Sequence, residues 1–231
     1  MENTKYKFSI IIPVVDEYYT INQTIKHINS LKADDNLEII VVDGSPTGET
    51  IKVIENKGVK KSITEKGRGN QMNKGASIAN GEILIFLHAD TYLPPNALHS
   101  IASAMRDHTY VGGAFDLGID SDRLIFRVIE KMASLRSRIT RMPYGDQVIF
   151  LRKDYFNNLG GFKSIPIMED VDLMRRIKKR KGKIYIIEKR VKTSPRRWEK
   201  EGVLYCTLRN WVLITLYFLG AEPEKLIKFY R

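Results

Sequence analysis

GEILIFLHADT, residues 81–91, decides the fold: five consecutive large apolar residues, 83–87, break off abruptly at a histidine and an acid. A run that is short, continuous and without polar alternation reads as a strand covered on both faces, the signature of a parallel sheet layered between helices. Runs of the same kind stand at 8–14 (FSIIIPV) and 37–42 (LEIIVV), with a weaker one at 59–63. Pro13 falls near the end of its run, where a central strand tolerates a missing N–H. Between the runs the spacing lengthens to helical: Ile21, Ile25, Ile28 and Leu31 share one face, Ile51 and Ile54 another, and Met72, Ala76 and Ala79 a third. Strands alternating with helices predict an α/β fold, a Rossmann-like, mostly parallel sheet with helices on both faces.

After residue 90 the alternation loosens. TYLPPNAL opens a helix with Pro94 and Pro95 at its start, VGGAFDLGI suggests a strand, and 124–139 has the spacing of a long amphipathic helix. QVIFL (147–151) reads as a strand and 171–177 as the opening of a further helix. No internal repeat or low-complexity linker divides the chain.

The chain has 231 residues, 43% of them apolar and 28% charged, which suits one globular domain with a substantial core. Its single cysteine, Cys206, excludes an internal disulfide and a cysteine-built zinc site, and fits a packing role. The polar opening MENTKYK holds no apolar export stretch, so a cytoplasmic, reducing location is expected. A net charge of +11 favours polyanions of any kind. The cations cluster at 174–183 and 189–198, the first as a solvated helix end, and no interleaved aromatics mark a nucleic-acid module. Nucleic acid is therefore not an expected partner.

Acids stand where the first strands end. Asp43 follows a buried run and precedes Gly44, which permits a turn, with Ser45, Thr47 or Thr50 available to cap the next helix. Its carboxylate either caps that helix or accepts from the base or ribose of a nucleotide. The KGRGN loop sets glycines around Arg68 before a helix, either a plain turn or a close approach of backbone and guanidinium to phosphate or base. Asp90 emerges beside His88, and one carboxylate there suffices for Mg²⁺ that takes its other oxygens from a substrate phosphate. Glu169, Asp170 and Asp172 crowd one helix's first turn, as capping acids or as a general base beside a substrate hydroxyl.

In order along the chain, PVVDE (13–17), VVDGS (41–45), GRGNQMNKGA (67–76), LIFLHADT (84–91), GDQ (145–147), GGF (160–162), MEDVDL (168–173) and SPRRW (194–198) resemble glycosyltransferase family 2. The likeness spans nearly the whole chain and is narrowest to short bacterial members described as associated with radical-SAM and selenium-domain proteins. It implies a glycosyltransferase A-type fold and inverting transfer from a nucleotide-diphosphate sugar, a UDP-sugar by default, to a hydroxyl acceptor. By this resemblance Pro13, Glu17, Asp43, Gly44, Ser45, Arg68, Gly69 and Asp90 line the nucleotide pocket. Asp90 takes the last place of the family's DxD motif and binds a divalent metal, Mn or Mg. Asp170 is the base with Glu169 beside it, while Gly145, Asp146 and Gln147 shape the acceptor floor and Arg197 and Trp198 reach diphosphate or acceptor. The same likeness divides a single domain into a nucleotide-binding half (1–90), an acceptor-binding half (91–200) and a helical appendage (201–231).

The sequence departs from that pattern in places. His88 replaces the first DxD carboxylate, Asp16 stands where many relatives have Asn, and DGSPTGET lacks a second Asp. The lost carboxylate motivates a rival expectation, a nucleotide-sugar-binding protein without transferase activity. The apolar run 203–220 is interrupted by Arg209 and Asn210 and is too short beyond them to cross a bilayer. It is either an interfacial helix at the inner membrane face, or a helix packed on the core or on a second copy of the chain.

Overall fold

The computed structural model describes residues 6–31 and 36–230. The chain runs β1 (Phe8–Val14), α1 (Ile21–Ser30), β2 (Leu37–Asp43), α2 (Glu49–Lys52), β3 (Lys60–Ile63), α3 (Arg68–Ile78), β4 (Ile83–Phe86), β5 (Thr91–Tyr92) and α4 (Ala97–Met105). It continues with β6 (Tyr110–Asp116), α5 (Leu124–Thr140), a 3₁₀ turn (Gly145–Gln147), β7 (Phe150–Arg152), α6 (Lys153–Leu159) and α7 (Glu169–Lys179). Last come β8 (Lys183–Arg190), β9 (Lys192–Thr193), α8 (Arg196–Glu201), α9 (Val203–Phe218) and α10 (Pro223–Leu226).

Seven strands form one sheet in the order β3-β2-β1-β4-β7-β6-β8. β7 alone runs against its neighbours β4 and β6, so the other six point one way, as the apolar runs predict. Strand alternation splits the core into two layers. Ile10 and Ile12 face α1 and α4, through Ile25 and Ile101 among others. Ile11 faces the opposite layer, shared with Met72 of α3, Phe156 of α6, Met174 of α7 and Leu213 of α9. Each such fully buried side chain contributes about 2 kcal/mol of apolar burial. Helix α3 lies so close to the sheet that a methyl group on Gly75 would overlap Ile11.

Pro13 pairs with Val42 in the centre of the sheet. Ile11 turns its carbonyl toward β4, accepting from the Leu87 amide at 3.0 Å. Pro13, two residues on, faces the same side just past the end of the β4 ladder, so its missing N–H leaves no ladder bond unmade.

Four elements differ from the sequence reading. Pro94 and Pro95 lie in the turn before α4, which starts only after Asn96 in the left-handed region, φ 57°. The strand expected at 147–151 begins at Phe150, because Gln147 is taken into the 3₁₀ turn. β8 was hidden in a basic stretch: its exposed Lys and Arg mask the inward Ile184, Ile186 and Ile187. Ser45, Thr47 and Thr50 do not cap α2, whose N-cap is Gly48 in the left-handed region, φ 64°.

Candidate active site

Because six strands run one way, β1, β2, β4 and β6 deliver Val14, Asp43, Phe86 and Asp116 to one rim of the sheet. β7 runs the other way, so the 3₁₀ turn that precedes it arrives at this same rim. The N-terminus of α7 joins it there, and the Gly145 amide donates to Asp170 Oδ2 at 2.7 Å. A cavity of about 190 Å³ opens between them, lined by Arg68, His88, Gly145, Asp146 and Asp170 and roofed by Trp198, Trp211 and Tyr230 from the C-terminal helices and tail.

Among the described residues Asp170 is held by backbone amides, its Oδ1 accepting from that of Val171 at 2.8 Å. Gly145 packs closely here: a Cβ would sit 3.0 Å from His88 Nε2 and 3.3 Å from Asp170 Oδ2, so a larger residue would push both side chains aside by a few tenths of an ångström. Glu169 is 2% exposed and meets Arg68 Nε at 2.9 Å. Its second oxygen has no hydrogen-bond partner among the described residues. Met168, at the N-cap of α7, adopts φ 67°, a backbone strain of about 1–3 kcal/mol stored beside the cavity.

Charge in the cavity is polarised. Burial lifts the Glu169 carboxyl above the usual range against the pull of Arg68, and Glu169 in turn raises the Arg68 guanidinium. Burial, then Arg68, push His88 down to about 4, so its imidazole is neutral at neutral pH. Burial pushes Asp146 up to about 6 despite Arg136. One oxygen of Asp146 is buried with no hydrogen-bond partner among the described residues. Arg136 lies 3.4 Å above the Tyr144 ring and reaches Gln147 Oε1 at 3.1 Å.

A second group lies further along the rim. Arg196 Nη2 bridges Glu17 Oε1 at 3.1 Å and Asp90 Oδ2 at 3.2 Å. The Ser194 amide donates to the Asp90 carbonyl at 3.1 Å and fixes the SPRRW segment against the end of β4. Glu17 is tied through its amide to Thr50 Oγ1 at 3.1 Å, and the Thr50 amide donates to Asp43 Oδ2 at 2.9 Å. Asp43 is fully buried, and its other oxygen takes the Ser45 amide at 2.8 Å. Its carboxylate therefore builds the turn at the start of α2, one of the two readings the sequence left open. Gln71 fills the space beside Gly44 and closes the ends of β1 and β2, donating to Val14 O at 2.7 Å and Val42 O at 2.9 Å.

The nominated residues thus separate by role. Arg68, Gly145, Asp146, Glu169, Asp170 and Trp198 gather at the cavity, and Glu17 and Asp90 meet at Arg196. Gly69 packs against the backbone of residue 163, Gln147 is a buried hub donating to Phe115 O at 3.0 Å, and Pro13 stays in the sheet. Arg197 is engaged by the tail, lying 3.7 Å over the Tyr230 ring and donating to Tyr230 O at 2.8 Å. Its neighbour Arg196 takes the place at the rim. The sequence reading also passed over Arg136, Tyr144 and Tyr230; an arginine inside the apolar pattern of 124–139 was the one available signal.

Among the described residues no three His, Cys, Asp or Glu side chains are gathered as a metal cage. Asp90 alone fits a hard divalent ion that takes most of its oxygens from a diphosphate and water. His88, half-buried beside Gly145, adds no carboxylate.

A family model described as "Glycosyl transferase family 2" matches residues 9–165. A "PGL/p-HBAD biosynthesis glycosyltransferase" from Mycobacterium bovis is 28% identical over 179 residues, 67% of this chain and 62% of the relative, and a protein of the same description from Mycobacterium tuberculosis matches equally. The chain thus spans 62% of the length of these curated relatives. Among solved structures, S. aureus TarS 1–349 superposes with a TM-score of 0.65 at 16% identity, covering 96% of this chain and 69% of that one. The same protein in complex with UDP-GlcNAc gives 0.63 at 17% identity, covering 81% and 58%. At such identities the likeness shows a shared fold: the glycosyltransferase A-type sheet expected from the motifs.

Proposed function

Because the chain belongs to glycosyl transferase family 2, we propose that it moves a sugar from a nucleoside-diphosphate donor to an acceptor hydroxyl in a single inverting displacement. One observation carries this reading: Asp170, oriented by the Gly145 amide at 2.7 Å, faces a cavity that also holds Arg68 and a neutral His88. Asp170 takes the proton of the acceptor hydroxyl while that oxygen bonds to the anomeric carbon and the bond from this carbon to the diphosphate oxygen breaks. Negative charge moves onto the departing diphosphate, where Arg68 and Arg196 are the cations at hand. A divalent ion held by Asp90 would neutralise the same charge. Glu169 keeps Arg68 in place, and Asp146 and Trp198 border the acceptor side.

In this reading residues 1–90 bind the donor, 91–200 the acceptor, and 201–231 roof the cleft, in a cytoplasmic protein. The TarS complexes with UDP-GlcNAc and UDP make uridine the first base to test. The narrower likeness to radical-SAM and selenium-domain-associated members rests on the sequence motifs.

The test follows nucleoside diphosphate release from a panel of nucleotide sugars, with and without Mn²⁺, for the protein and its Asp170→Asn form. Release that disappears in the variant while calorimetric donor binding persists supports the base role, whereas equal loss of both assigns Asp170 to structure. The tie between Asp90 and Arg196 favours one rival, a protein that binds nucleotide sugars without transfer. Donor binding with no release under any condition would select it.

A further inference from the structure

Helix α5 packs Phe126, Glu130 and Ser137 inward. Its opposite side carries Leu124, Val128, Met132, Leu135 and Ile139, all between 46% and 83% exposed. Spacings of four, four, three and four residues put these five on a single stripe along the whole helix. Helix α9 repeats the arrangement: Leu204, Tyr205, Leu208, Trp211, Val212 and Leu216 are 38% to 69% exposed, and the arc they occupy carries no charge. Both helices frame the same cavity, α5 through Ile129 and Ala133 and α9 through Asn210 and Trp211. Two unpartnered apolar faces on either side of one cleft are more than scattered surface leucines.

We propose that this two-helix face seats the protein on an anionic phospholipid bilayer, with the cleft opening toward the lipid. Charge selects this occupant. Lys131 flanks the α5 stripe and Arg123 and Arg141 stand exposed at its ends against one exposed acid, Asp122, while the helix's own acid, Glu130, is buried beside Arg127. α9 carries no acid; beyond its C-terminal end the exposed Glu222 and Glu224 balance Lys225 and Lys228, so the selecting charge is that of α5 and of Lys200. A second copy would bring the same cations to the seam without an exposed acid from either helix, whereas anionic headgroups complement them. Trp211 and Tyr205 have the amphipathic rings that favour the headgroup level. No described helix is long and apolar enough to cross a membrane, so the helices lie in its plane. Where the sugar-transfer reading holds, the acceptor is an amphiphile whose hydroxyl enters the cavity while its tail remains in the bilayer.

Flotation of the full chain with phosphatidylcholine vesicles, plain or mixed with phosphatidylglycerol, tests the docking without any donor or acceptor. We expect about tenfold more protein on the anionic vesicles, release at high salt, and a blue shift of tryptophan emission on binding. The pairs Val128→Glu with Leu135→Glu, and Leu208→Glu with Val212→Glu, should each cut binding about tenfold with unchanged circular dichroism and UDP affinity. Absence of binding to either vesicle by the unaltered chain overturns the proposal, as does equal binding by both paired variants. A dimer in sedimentation that the same substitutions dissociate would hand the face to a second copy. Failure of the transferase reading is registered separately, by nucleoside diphosphate release.

Discussion

Arg196 Nη2 holds Asp90 Oδ2 at 3.2 Å while touching Glu17 Oε1 at 3.1 Å, so a cation of the protein itself sits between two acids at the rim of the sheet. The arginine side chain is 56% exposed, and such open ion pairs contribute little to folding, about 0–1 kcal/mol. Its weight is in competition for Asp90. Arg196→Ala should leave the melting temperature nearly unchanged and tighten Mn²⁺ binding a few-fold in calorimetry. Unchanged or weaker binding would mean that an ion does not use Asp90. Arg197→Ala should do the reverse and lower the melting temperature, because Arg197 is stacked on Tyr230 and paired with Glu201 at 3.3 Å.

Glu169→Gln separates charge from shape in the cavity. The carboxylate lies 2.9 Å from Arg68 Nε and is 3% exposed, so neutralising it leaves a guanidinium without its counter-ion. Arg68 itself is 39% exposed and recovers some hydration, which limits the expected loss to about 1–3 kcal/mol in chemical denaturation. Donor turnover should fall with it, since Arg68 would no longer be fixed beside His88. A variant with wild-type stability and turnover would remove Glu169 from any positioning role.

How far this arrangement was legible in the sequence follows from the range of the interactions. β1, β2 and β4 are apolar on both faces, so their runs and the acids that end them could be read directly. β8 could not, because at the sheet edge its buried Ile184, Ile186 and Ile187 are interrupted by exposed Tyr185 and bounded by Lys183 and by Glu188, Lys189 and Arg190. The gathering of Arg68, Gly145 and Asp170 depends on β7 running against the sheet, a topological fact that a three-residue strand does not announce. Choosing between Arg196 and Arg197 required the phase of a six-residue helix, in which neighbours point about 100° apart. For Asp43 the sequence left a helix cap and a nucleotide contact open, because the amides it accepts from, those of Thr50 and Ile51, lie seven and eight residues on.

Gln147 shows how a motif residue acts without touching a ligand. It is fully buried, donates to Phe115 O at 3.0 Å and accepts from Ser137 Oγ at 2.6 Å, joining β6, α5 and the 3₁₀ turn. Gln147→Leu keeps the volume and orphans these groups, for an expected loss of about 2–4 kcal/mol by denaturant titration. Acceptor KM in the fraction that stays folded should change little. A variant as stable as the wild type with a raised KM would instead return Gln147 to the acceptor floor.

Two groups of the cavity, Asp146 and His88, pull stability in opposite directions with pH. Asp146 titrates at about 6 against an ordinary value of 3.8, so the folded chain holds a proton that the unfolded chain has released, and this contribution is lost as pH rises toward 6. His88 titrates at about 4 against 6.5, so its contribution is present above 6.5 and is lost as pH falls toward 4. The windows overlap and the two slopes offset each other in the wild type. Asp146→Asn removes one of them. The melting temperature of the variant relative to wild type should therefore climb between pH 4 and pH 6, and at pH 7 the variant should be the more stable protein. Glu169, also raised by burial, works in the same sense as Asp146 and remains in the variant, so the slope exposed is smaller than His88 alone would give. A difference between variant and wild type that stays flat across this interval would mean that Asp146 is ionised in the folded protein throughout, with Arg136 outweighing its burial.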